Sequence, residues 1–477
     1  MRASVRLVGR SRVALAVVAA ALLVCAGAAS SVYAATRSSG STTEELPITV
    51  SDNTKLACGL VLPGGSPPAG GWPGLLLFHG LGQSHAYMET IANVAFAPFG
   101  FASLACDARG TGASGGKFGL GGPKEVQDVR DLFTWLATRS EVSDTQIGAF
   151  GLSLGGGAVW NAAVAGVPFK AIVPAITWTS LGTALNPNRV PKSGLVAQLA
   201  QVVPGSNWDP SLAQARDDLL AGNVTAAVRS AEAARSSRSR LHSLTVPTLL
   251  LQGRHDFHFD MDQAIAAYKL LAGPKRLYLG DLGHPPAKNP RAEQLGYLAE
   301  VVSWFGAYLA GGPKLGGGIE LAHDPWKGTT SFYKSLPRTR HVSVSLPGRA
   351  KLSTSAASVS RSVRLPGGPL ETFGDGSVTV RYSGAASSWT KLVAMVAVKG
   401  RSTPVTFGAA RVTERAGVVR IALSDQAVLL PRGKRLVVTV GGETADGVYS
   451  ASPVAKSSIT IRRVTLNLSL LRRAVSR

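Results

Sequence analysis

Apolar and polar positions divide the chain into regions of different texture. From residue 46 to residue 309, short apolar runs alternate with stretches of helical period. The runs at 74–78, 101–106, 147–150, 171–176, 247–252 and 275–279 show little polar alternation, as expected of strands buried on both faces of a sheet. Two further runs, 46–51 and 56–62, flank Asp52-Asn53 and predict an opening hairpin. Helical patterns lie at 87–96, 123–138, 156–165, 262–271 and 289–309. In the second, Val126, Val129, Leu132, Phe133 and Leu136 recur on one face. The last opens on Asn289-Pro290, read as cap and first turn, and Gly311-Gly312 follows its end. Such alternation predicts a mostly parallel sheet with helices on both faces.

The alternation pauses at 177–245, where helical stretches fall near 194–202, 210–220 and 224–241. That is too long for a plain connection and reads as a helical cap. Beyond a linker at 313–324, the pattern becomes short β-branched runs at 341–346, 377–382, 392–398, 418–423, 436–440 and 457–463, parted by Gly, Pro and Ser turns. This predicts an all-β sandwich of jelly-roll type with no constellation suited to chemistry. The expected organisation is an α/β domain over 35–312 and a sandwich over 325–477.

Composition adds two things. Arg2, Arg6, Arg10 and Arg12 precede an apolar stretch at 13–24, and Val32-Tyr33-Ala34 offers a small-residue cleavage site. Residues 1–34 therefore read as a signal peptide, with an uncleaved anchor as the alternative, and the expected location is secreted or cell-envelope. The formal charge of +22 is unevenly spread. Residues 35–324 balance at 22 basic against 22 acidic groups, while 325–477 carry 24 against 6. A basic sandwich suits an anionic envelope surface, or is simply a solvated face. No nucleic-acid motif accompanies it.

The candidate chemistry starts at Gly151-Leu152-Ser153-Leu154-Gly155, a G-x-S-x-G between an apolar strand and an Ala-rich helix. That strand–turn–helix context makes Ser153 a candidate nucleophile. A serine hydroxyl needs a base in contact and a third group to orient the base, and in this topology they follow in the order acid, then histidine. After the 247–252 strand stands Gly253-Arg254-His255-Asp256, giving Asp256 as the acid. After the 275–279 strand stands Gly283-His284-Pro285, giving His284 as the base. The backbone N–H groups of Leu154 and of Leu81, in His79-Gly80-Leu81, are the expected oxyanion donors. His79 reads as a buttress of that loop, and Asp107 and Arg109 as turn-fixing residues. The His and Asp residues between 255 and 262 could ligate a metal, but Asp256 is already assigned and Asp260 or Asp262 reads as a helix cap. The expectation is no metal and no cofactor.

Asp107-Ala108-Arg109-Gly110 with Gly112 and Ser114, the Ser153 elbow, Gly253-x-x-Asp256 and Trp304-Phe305-Gly306-Ala307-Tyr308-Leu309 together resemble the X-prolyl dipeptidyl-peptidase/cocaine-esterase type of α/β-hydrolase. The resemblance implies an α/β-hydrolase fold followed by a β-sandwich, with Ser153, Asp256 and His284 as the triad. It departs at Leu154, where the family elbow usually has an aromatic residue. It departs also at His79-Gly80-Leu81, where cocaine-esterase-like members use a tyrosine. The implied activity is cleavage of a small ester or peptide through an acyl-enzyme. The alternatives are an X-prolyl dipeptidyl-peptidase, and an envelope-binding protein whose hydrolase part is inactive. The resemblance also makes the strands of Cys58 and Cys106 antiparallel neighbours, so the two could face each other as a disulfide or remain buried thiols.

Overall fold

The computed structural model describes residues 40–472 except 355, 366, 368, 387–388, 445–446 and 451–457; the expected signal peptide at 1–34 lies outside the described residues. Its first body is a ten-stranded sheet. The strands are β1 (Thr42–Thr49), β2 (Lys55–Leu62), β3 (Trp72–Phe78), β4 (Ala102–Cys106), β5 (Val142–Leu152), β6 (Ile172–Ala175), β7 (Thr248–Gly253), β8 (Lys275–Gly280), β9 (Gly318–Ala322) and β10 (Thr330–Tyr333). Their order is β1-β2-β4-β3-β5-β6-β7-β8-β9-β10. Neighbours from β4 to β9 run parallel, and the outer pairs are antiparallel. Every residue of β4 and β7 is buried, as the unbroken apolar runs predict.

Helices cover both faces because side chains alternate along each strand. On β3, Leu76 belongs to the core layer that also holds Val129 of α2 (Pro123–Ala137), Val159 of α3 (Leu154–Val164) and Ile265 of α8 (Met261–Leu270). Leu75 and Leu77 pack instead with Met88 of α1 (His85–Ile91) and with Trp304 and Phe305 of α9 (Arg291–Leu309). Between β6 and β7 the cap comprises α4 (Leu181–Leu185), α5 (Ser193–Ala200), α6 (Pro210–Leu220) and α7 (Ala226–Ala234). Cys58 and Cys106 pair directly across β2 and β4 and form a disulfide.

The second body is a sandwich of two antiparallel sheets. One has the order β11 (Thr339–Leu352), β19 (Ile459–Leu471), β13 (Leu370–Ser383), β16 (Ala416–Leu423), with β17 (Leu429–Leu430) beside β13. The other has β12 (Ser358–Arg364), β18 (Arg435–Gly441), β14 (Lys391–Val398), β15 (Pro404–Arg411). The inward residues of both sheets form one apolar core.

Four expectations need correction. Gly318–Ala322, expected within the linker, is β9 and pairs with β8, so the main sheet runs on through β10. The helical stretch expected at 224–241 ends at Ala234, because the Arg235 carbonyl accepts from Trp178 Nε1 and Asn161 Nδ2 and leaves the helix ladder. Asn289 does not cap α9; Pro290 occupies that position. Asp260 stands at the cap of α8, but its side chain makes no capping bond.

Candidate active site

Chain direction across the sheet reverses around β3, and the crevice at the carboxyl ends of β3 and β5 is where such folds hold ligands. Ser153 follows β5 directly, with φ 53° and ψ −111°, a sterically costly conformation for a side chain with a Cβ. The turn is fixed from both sides: Ser153 N–H donates to the Ala175 carbonyl at 2.9 Å, and Thr177 Oγ1 donates to the Ser153 carbonyl at 2.7 Å. Gly151 and Gly155 permit it. A Cβ on Gly155 would strike the Phe78 backbone, and one on Gly151 would strike Gly155.

His284 Nε2 lies 2.8 Å from Ser153 Oγ, and His284 Nδ1 lies 2.8 Å from Asp256 Oδ2. Asp256 is fully buried. Its Oδ2 also accepts the His284 backbone N–H, and its Oδ1 accepts the N–H groups of His258 and Phe259. Burial works to raise the carboxyl pKa, but His284 and these donors outweigh it and hold it below the ordinary aspartate value. The three residues expected to act together are thus brought together, and Asp256 is an acceptor that fixes the imidazole with its proton on Nδ1.

Leu154 is the first residue of α3, so its N–H has no partner within the helix. Leu81 sits in the loop after β3. That loop is braced by Gly80 N–H on Gln83 Oε1 and by His79, whose Nδ1–H donates to the Gly80 carbonyl while Nε2 accepts from Ala108 N–H. Burial lowers the His79 pKa, which suits a neutral brace. Arg109 bridges Asp128 and Asp52, and Asp107 accepts from His85 and Ala113, so both tie loops together.

The roles of several residues around the centre escaped the sequence reading. Asn289 clamps the base loop: its Oδ1 accepts from Gly283 N–H and its Nδ2 donates to the Gly283 carbonyl, both at 2.9 Å. His258 stacks on His284 with ring centroids 4.3 Å apart. His255 turns away, its Nε2 donating to the Pro404 carbonyl of β15. The sandwich reaches the acid loop as well. Gln426 Nε2 donates to the Asp256 carbonyl at 3.0 Å, and Ala427 N–H donates to the Arg254 carbonyl at 2.7 Å. The side of the site nearest the cap is apolar: Leu154 packs in one cluster with Phe118, Leu195, Val203 and Trp208, with Leu81 and Leu199 against it.

Residues 52–286 match the family model of X-Pro dipeptidyl-peptidase (S15 family). A CocE/NonD family hydrolase from Staphylococcus aureus superposes with a TM-score of 0.65 at 14% identity, over 89% of this chain and 93% of that one. An α-amino acid ester hydrolase gives a TM-score of 0.65 at 14% identity over 91% and 97%, and an aminopeptidase from a marine sediment Thaumarchaeota archaeon gives 0.64 at 14% over 91% and 97%. At that identity these likenesses speak for the fold alone. Among curated proteins, an uncharacterized 31.7 kDa protein of Escherichia coli from the traX-finO intergenic region is 35% identical over 103 residues, 21% of this chain. The match spans 36% of that relative's own length. The resemblance read from the motifs is borne out, and with it the α/β-hydrolase fold.

Proposed function

We propose that this chain is an exported serine hydrolase that cleaves an ester or amide bond through an acyl-enzyme. Ser153 Oγ attacks the carbonyl carbon while its proton passes to His284 Nε2. Asp256 holds the imidazole and balances the charge it gains. The Leu154 and Leu81 N–H groups receive the oxyanion. Collapse expels the leaving group with the proton from His284, and water enters by the same base to release the acid. The observation that carries this reading is the unbroken run of hydrogen bonds from Ser153 Oγ through His284 to Asp256. The Cys58–Cys106 disulfide suits an oxidising compartment and so an exported chain.

Within this reading the preferred substrate is a simple ester with an apolar acyl group. The apolar cluster at Leu154 and Leu81 favours it. An X-prolyl dipeptidyl-peptidase, which the family match brings forward, requires an acidic anchor for a free amine. The cap's carboxylates are already engaged: Asp209 with Lys124 and Ser211, Asp217 with Arg216, Asp218 with Gln214 and Thr225, and Glu232 with Asn186. A panel of p-nitrophenyl esters and Xaa-Pro p-nitroanilides decides between the two. The expected result is ester turnover exceeding anilide turnover by at least ~100-fold in kcat/KM, a difference of about 3 kcal/mol. Faster anilide turnover establishes the peptidase.

A further inference from the structure

We propose that Glu45, His85 and Glu89 form a binding site for a divalent transition-metal ion such as Zn2+, separate from the Ser153 centre. Glu45 comes from β1, while His85 and Glu89 stand one turn apart on α1. His85 Nε2 is 3.1 Å from Glu45 Oε2 and 3.8 Å from Glu89 Oε1. One ligand atom from each of the three residues falls within a mutual 4.8 Å. Ligands bound tetrahedrally to zinc at its usual bond lengths are about 3.3 Å apart, so small side-chain shifts complete the geometry.

The second sphere points the same way. His85 Nδ1 lies 2.8 Å from Asp107 Oδ1, and Asp107 also accepts the His85 and Ala113 backbone N–H groups. The Asp107 carboxylate holds a proton on Nδ1, while Nε2–H donates to Glu45 Oε2 at 3.1 Å; a bound ion would displace that Nε2 proton and take its place between the imidazole and the carboxylates. A carboxylate–imidazole relay of this kind orients metal-binding histidines and fixes their tautomer. Glu89 supplies the independent observation. It is only 8% exposed, and its Oε1, turned toward His85, has no hydrogen-bond partner among the described residues. Gly59 of β2 makes room for that carboxylate, since a Cβ there would overlap it. A buried carboxylate oxygen with no hydrogen bond of its own, 3.8 Å from an imidazole nitrogen that a metal can take over, calls for an electrophile.

One imidazole with two carboxylates selects zinc or a similar ion over Mg2+ and Ca2+, which prefer all-oxygen sets. Solvent completes the sphere on the open side, where the Glu45 side chain is 62% exposed. The ion would tie β1 to the first turn of α1, immediately after the loop that carries Leu81. It is a structural ion, and this inference stands independently of the proposed reaction.

The test uses the chain purified without a metal-binding tag, stripped with chelator and dialysed against Zn2+. One Zn2+ per chain is expected, with affinity at least ~10-fold weaker in Glu45→Gln and stoichiometric uptake lost in Glu89→Gln. Zn2+ should raise the thermal midpoint of the parent chain but not of Glu89→Gln, and Mg2+ should do neither. Glu45→Gln changes an exposed side chain, and ester hydrolysis at the parent rate reports its fold. Failure to take up Zn2+ overturns the proposal. So does uptake that survives in the Glu45→Gln/Glu89→Gln double variant, which would assign the ion to other ligands.

Discussion

Ser153, Asp256 and His284 were legible because each lies just past the end of a strand whose apolar run is unmistakable, so residue type and slot coincide. The residues that hold them were not. Asn289-Pro290 spells a helix start in sequence, yet the Asn289 amide is spent on Gly283 six residues back. Gln426 lies 170 residues from Asp256, and no local pattern announces such a contact. The stacked His258 carries a prediction. Burial first, then the His284 and Lys192 charges, push its imidazole down to about 3, so it stays neutral wherever the enzyme is assayed. Its face alone matters to His284. Replacing it by phenylalanine should keep kcat/KM within about fivefold and leave the pH–rate profile unmoved. A displaced profile in His258→Phe would show that the ring nitrogens take part.

Among elements, the parallel strands follow directly from continuous apolar runs, whereas the cap and the sheet edge depend on partners far away. The Gly-rich approach to β9 reads as a linker, but Ile319 and Leu321 are buried and the strand covers the edge of β8. In the sandwich, β12 and β15 were missed because one alternates Ser, Val and Arg and the other opens on Pro404 and contains Gly408. The cap holds a pH-sensitive contact between α7 and the segment after α4. Glu232 is buried against Asn186, and that burial pushes its pKa from 4.5 up to about 7, with Arg229 opposing. The folded state thus keeps Glu232 protonated where the unfolded chain ionises it. The resulting stability is fully present below about 4.5 and is lost as pH rises through about 7. Glu232→Gln should therefore stabilise the chain at pH ~8 by on the order of 1–3 kcal/mol, read as a higher thermal midpoint, and change little at pH ~4.5. Equal midpoints for both proteins at the higher pH would contradict this.

At the scale of the whole molecule, the sandwich packs against the candidate site as well as carrying the excess charge. Its 425–427 segment and Pro404 grip the loop that carries Asp256, and Phe407, Ala409 and Tyr449 join the cap's apolar cluster. The sequence indicated a sandwich and its charge, but not this contact, because nothing in strand periodicity says which end of a second body meets the first. The charge has a location. Arg381 and Arg463 pair across β13 and β19, with Arg462 beside them and Arg420 on β16, all exposed. Like charges directly opposed cost stability unless an anion lies over them. An attraction of this face to an anionic envelope polymer or lipid is our proposal for it. Binding of the full chain to anionic vesicles or wall polymer should weaken steeply with salt and fall in Arg381→Ser/Arg463→Ser. Salt-insensitive binding, equal on neutral surfaces, would count against it.

The central claim, a serine nucleophile activated by the His284–Asp256 pair, is tested most directly by a fluorophosphonate probe read by intact mass and peptide mapping. The account predicts one adduct per chain, on Ser153, with labelling and ester hydrolysis both abolished in Ser153→Ala. Labelling elsewhere, or undiminished hydrolysis by purified Ser153→Ala, would contradict it.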